Sequence, residues 1–221
     1  MGPDLGQVLK PEQRLLEDAI EREAEAHRLL LAGEVDTAHV ALIEAAVLYR
    51  RSWEAAPPRA YGRLVGMLKA AVIAGEGTAP AAYVRRALGS SGDSPTSWYA
   101  IGLAALIEGD DPAAITAARG MRDDAAELGM GAEAFTRVAE AIAALAYRNA
   151  DRYAEALEAI VADFERREEH LTGVPIADTA LMLERLAAER DIAAGARSKL
   201  LPTAPAGPGK QKGGVEPGTN G

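Results

Sequence analysis

The chain has 221 residues, of which 48% are hydrophobic, 48 are alanine and only 5% are aromatic, a balance that fits one globular domain of closely packed helices. It contains no cysteine, which excludes a disulfide framework, a thiolate nucleophile and a thiolate zinc site. A net charge of -9 argues against general affinity for nucleic acid or an anionic membrane surface, because both are polyanions.

Residues 1–10 read as a flexible N-terminus. A first helix is expected over residues 11–32, with Pro11 in its first turn and Gly33 at its end. A second starts after Asp36 and runs to about Ala56, where Pro57 and Pro58 stop it. A third covers roughly residues 60–74, a fourth 80–88, and the punctuation-rich "GSSGDSP" forms a loop before a fifth helix that opens at Pro95 and stops at Gly109. A sixth spans residues 112–128, and "GMG" separates it from a seventh at 132–148. The eighth has the cleanest pattern: Tyr153, Ala156, Leu157, Ile160, Val161 and Phe164 form one apolar stripe at helical spacing. A ninth is expected over residues 175–190. Residues 196–221 are assigned to a disordered tail, since the stretch from Pro202 carries ten Pro or Gly in twenty residues and too little apolar surface to order itself.

Four short turns recur between apolar helices: "GEVDTA" at Gly33, "GEGTAP" at Gly75, "GDDPAA" at Gly109 and "DRYAEA" at Asp151. Their starts lie 42, 34 and 42 residues apart, the range in which helical hairpins stack because none buries its own face alone. Residues 98–121 resemble a tetratricopeptide repeat: Trp98, Ile101 and Gly102 stand where that family has Trp, Leu and Gly, Gly109 at its turn glycine and Ala114 at its small packing residue. Two spacings exceed the family's 34, and the motif's closing proline is missing. The resemblance implies an all-α, right-handed superhelical stack of about four antiparallel hairpins over residues 11–195, with the ninth helix as a C-terminal cap. It also implies a concave face that accepts an extended peptide or a helix.

Little in the chain points to catalysis. Neither GxSxG nor a phosphate-binding loop is present, and the Asp110–Asp111 and Asp123–Asp124 pairs fall at helix turns without a visible pocket. Glu23 precedes His27, and Asp36 precedes His39, by one helical turn, but no Glu-x-x-His pattern accompanies them. The three histidines, His170 included, are therefore expected at exposed or capping positions, with no metal and no cofactor. Asp178 falls in the first turn of the ninth helix, where the dipole favours an acid; the alternative is that this turn forms part of a partner site.

Charge is unevenly spread, with residues 12–44 at net -6 and residues 50–86 at net +5. Tyr49, Arg50 and Trp53, extended by Arg63, Arg85 and Arg86, are the candidate partner-binding residues, because aromatic bodies beside guanidinium groups are enriched where partners bind tightly. The expectation is a non-catalytic interaction module for a protein or peptide partner, a monomer or weak homodimer that engages neither nucleic acid nor membrane. Alternatives are an immunity or antitoxin-like protein that neutralises a basic partner through its acidic first helix, and a helical small-molecule sensor or enzyme with an internal pocket. No long uncharged apolar run and no basic start of signal-peptide type occur, so a cytoplasmic location is expected. The 19 Arg against 5 Lys, with so much Ala, suggest a GC-rich bacterial genome.

Overall fold

The computed structural model describes residues 9–129 and 132–203. The described residues form nine α-helices and no strand: α1 Pro11–Ala32, α2 Val35–Ala55, α3 Gly62–Ala74, α4 Thr78–Leu88, α5 Pro95–Glu108, α6 Asp111–Leu128, α7 Glu133–Ala146, α8 Ala150–Arg166 and α9 Asp178–Ala188. None of these is long and apolar enough to cross a membrane. Most of the sequence assigned to the N-terminus and the tail, residues 1–8 and 204–221, lies outside the described residues.

The turns share one device. Gly33, Gly75 and Gly109 take left-handed φ angles of 81°, 82° and 74°. In each case the next N–H reaches back five residues, Glu34 to Leu29, Glu76 to Ala71 and Asp110 to Ala105, which satisfies the last carbonyls of the helix. A fourth copy ends α7: Asn149 N–H bonds Ala144 O at 2.9 Å while Arg148 holds φ 52°, a conformation that costs a side-chain-bearing residue about 1–2 kcal/mol. The α5 and α6 starts are capped in turn, by the Ser94 and Asp110 side chains.

Neighbouring helices pack in chain order: α1 on α2, α2 on α3, α4 on α5, α5 on α6, α6 on α7 and α7 on α8. A second set of contacts joins α3 to α5 and α5 to α7. One continuous core of mostly alanine, leucine and valine runs through these interfaces, and the small residues let backbones come close. In α5, a Cβ on Gly102 would lie 3.3 Å from Ile142 Cδ1 and 3.4 Å from Ala117 Cβ. Trp98 lies between two glycines: a Cβ on Gly92 or on Gly120 would stand 2.5 Å from its ring.

The C-terminal part departs from expectation. The ninth helix begins three residues later than its proline suggests: Ile176 N–H bonds back to Val174 O in a tight turn, and Ala177 N–H donates to Leu200 O at 2.8 Å. Rather than capping the last pair alone, α9 packs chiefly on α3, with smaller contacts to α8 and α7. Arg190, two residues past its end, donates to Leu106 O near the end of α5. Residues 196–201, assigned by composition to the tail, are part of the packed body: Leu200 is buried, Ser198 Oγ donates to Glu165 at 2.7 Å, and Glu184 Oε2 accepts from Ala196 N–H at 3.3 Å.

Candidate functional site

Two concavities meet at one floor. An open depression of about 720 Å³ runs past Ile20 of α1, Tyr49 of α2, Arg63 of α3 and Thr96 of α5. A smaller cavity of about 220 Å³ lies between α7, α8 and the segment that leads into α9, lined by Arg137, Phe164, Arg167 and Asp178. Lys69, Tyr99, Phe135 and Leu171 line both, so the two read as one groove with Lys69 and Tyr99 where they meet and the exposed Leu171 at the lip.

The floor is a polar cluster drawn from five helices. The Lys69 ammonium pairs with Asp178 Oδ2, and Asp178 Oδ1 accepts from the backbone N–H of Thr179 at 2.6 Å. Asp178 thus holds the first-turn position its sequence predicts, and also neutralises a lysine 109 positions earlier. Tyr49 OH donates to Glu23 Oε2 at 2.7 Å. His27 Nδ1 meets Thr172 Oγ1 at 3.1 Å, leaving Nε2 as the free ring nitrogen. That nitrogen lies 3.9 Å from Glu23 Oε1, too far for a hydrogen bond; among the described residues neither atom has a partner, and nor does Tyr99 OH.

Burial sets the protonation states. It pushes the Glu23 carboxyl up to about 7, against the pull of Lys69, and pushes His27 down to about 4. The Tyr99 hydroxyl is pushed up to about 12 by the same cause and stays a donor. Burial would strip the charge from Lys69 and from Asp178, but each is the other's counterion: the Lys69 pKa is raised by Asp178 and Glu23, and that of Asp178 is lowered by Lys69.

The candidate residues read from sequence divide. Tyr49 is buried at 2% exposure and serves the floor through Glu23, so it offers no surface to a partner. Arg63 lines the groove, its guanidinium donating to Ser52 O at 3.3 Å, with no carboxylate partner among the described residues. Trp53 packs against the core with its ring 5.7 Å from that of Tyr61. Arg50 lies elsewhere, exposed, paired with Glu54 at 2.9 Å and stacked 4.3 Å over Tyr83. Arg85 is engaged by Glu108 and Asp110 at the α5–α6 turn, and Arg86 is exposed. The six therefore form no single patch.

Burial also corrects the expectation for one of the three histidines, His27. His27 and Glu23 are among the most hidden polar residues described, at 1% each. Their one-turn spacing was visible, but Lys69 comes to them from α3, and Asp178 and Thr172 only through the return of the C-terminal segment. No family model matches the chain, and no curated protein or solved structure is significantly similar to it.

Proposed function

We propose that this chain is a non-catalytic binding protein of the tetratricopeptide-like kind, in which a right-handed superhelical stack of about four hairpins presents its inner face to an extended acidic segment of a partner protein. The observation that carries the reading is the groove itself, continuous from α1 through α3 and α5 to α7 and lined by Arg59, Arg63, Tyr61 and Phe135. Arg59 shares its charge with Asp93 and Lys69 is neutralised by Asp178, so Arg63 supplies the free positive charge of the wall. Aromatic faces beside a guanidinium give an extended chain both apolar contact and a carboxylate partner. The shared cap at four turns and the close packing at Gly102 support the stack.

A second reading, a small-molecule sensor, is favoured by the smaller cavity, where polar groups converge within about 220 Å³. Selection of a random decapeptide library on the immobilised full chain separates the two. Enrichment of acidic sequences that lose binding to an Arg63→Glu variant of unchanged circular dichroism is expected. No enrichment, or enriched peptides that bind Arg63→Glu equally well, would overturn the peptide reading and leave the sensor.

A further inference from the structure

The unpartnered atoms at the groove floor have the organisation of a ligand set. Glu23 Oε1 and His27 Nε2 face each other across 3.9 Å with side chains only 2% and 1% exposed, and neither has a hydrogen-bond partner among the described residues. In the tautomer whose Nδ1–H donates to Thr172 Oγ1, Nε2 carries a lone pair beside a carboxylate oxygen that also offers lone pairs. Two buried acceptors in that relation call for a positive centre near both. Glu23, His27 and Asp178 each place one ligating atom so that all lie within 4.8 Å of one another. A closing movement of less than about 1 Å brings the three to bonds of roughly 2.1 Å around a common point.

We propose that Glu23, His27 and Asp178 form a site for a divalent transition metal of the imidazole–carboxylate class, and that Lys69 is the cation that stands in for it when the metal is absent. The outer contacts fit this assignment. Tyr49 OH fixes the other oxygen of Glu23, Thr172 fixes the other nitrogen of His27, and the Thr179 amide fixes the other oxygen of Asp178, which is how metal ligands are oriented by a surrounding layer of hydrogen bonds. Charge balance fits as well. A divalent ion, with Lys69 turned away, balances the two carboxylates once both are ionised. Lys69 has somewhere to go, since its side chain is 14% exposed and borders both concavities. One imidazole and two carboxylates suit zinc, manganese or cobalt, and the cavity leaves a further coordination position for water or a bound carboxylate.

The site stands or falls independently of the peptide reading. The test is equilibrium dialysis of the metal-free full chain against zinc and, separately, cobalt, with the cobalt absorption spectrum and the histidine ring resonances followed on addition. The proposal expects one equivalent bound, with the His27 ring signals moving and those of His39 unmoved. Glu23→Gln abolishes the site and Tyr49→Phe weakens it about tenfold through the lost outer hydrogen bond. Lys69→Met binds at least tenfold more tightly. No equivalent bound, or a bound metal that leaves the His27 resonances in place, overturns the site; this reading comes from the wild type and needs no variant to fold. Equal or weaker binding by Lys69→Met overturns the assignment of Lys69 as the competing cation.

Discussion

Lys69→Met removes the only cation among the described residues that contacts Asp178 and keeps most of the apolar stem, so it isolates the charge. The two side chains of the pair are 14% and 11% exposed, too little for water to take over the role of the ammonium. Removing one member of such a pair costs about 3–5 kcal/mol. Proton uptake by Glu23, already pushed up to about 7 by burial, relieves part of the loss and puts the expected figure at about 3 kcal/mol. For a body of this size that corresponds to a fall in Tm of roughly 6–12 °C. Urea denaturation in metal-free buffer, read by far-ultraviolet circular dichroism, measures it. Asp178→Asn, which keeps an oxygen for the Thr179 amide, destabilises by a similar amount, and the double variant loses less than the sum by more than about 1 kcal/mol. The penalty of Lys69→Met shrinks on acidification, because Asp178, held below the usual carboxylate range by Lys69, then titrates higher. A loss under about 1 kcal/mol, or additivity in the double variant, would refute the idea that this ion pair organises the floor.

Two further outcomes follow from the packing and the burial. Gly120→Ala gains about 1 kcal/mol of helix propensity, but its Cβ would stand 2.5 Å from the Trp98 ring, which Gly92 blocks on the opposite face; overpacking of this kind costs about 1–3 kcal/mol, so a net loss near 1 kcal/mol is expected in denaturation followed by tryptophan fluorescence, and a stabilised variant would show that Trp98 is not clamped. His27 and Glu23 pull the acid side of the stability profile in opposite directions. His27, lowered to about 4, contributes stability present above its ordinary value of 6.5 and lost as pH falls towards 4. Glu23, raised to about 7, contributes stability present below its ordinary range and lost as pH rises to 7. With Lys69, Asp178 and Tyr49 as the charged or titratable groups around them, the metal-free wild type should be nearly flat between these limits, whereas Glu23→Gln should rise with pH from 4 to 6.5. A flat or falling profile for Glu23→Gln would contradict the assignment of a buried neutral imidazole.

The helices were legible because their signals are local. Every residue of the predicted α8 stripe, from Tyr153 to Phe164, is buried, and the glycines at 33, 75 and 109 end their helices by adopting the conformation that only they reach cheaply. The start of α4 was missed by two residues because Pro80 occupies its third position, where a missing N–H still costs nothing. The site was opaque for the opposite reason. Lys69 is a polar residue in a helix that is otherwise buried on most sides, and nothing within ten residues of it names Asp178 as its counterion. Glu23 and His27 carried the correct spacing, yet their burial depends on Thr172 and α9 covering them, a contact between segments some 145 positions apart. Polar residues on an amphipathic helix are ordinarily assigned to water, and only the return of the chain reverses that.

That return also bears on how the molecule comes apart. An array in which each helical pair touches only its neighbours can melt from either end, one unit at a time. Here the last helix is fastened to α3 through Lys69 and to the end of α5 through Arg190, while Glu165 and Ser198 hold the segment behind it on α8. Early and late parts of the chain thus share a single clasp, and neither can fray without releasing it. The expected behaviour is all-or-none unfolding, and shortening the chain ahead of Asp178 should turn one sharp transition into a broad, sequential one.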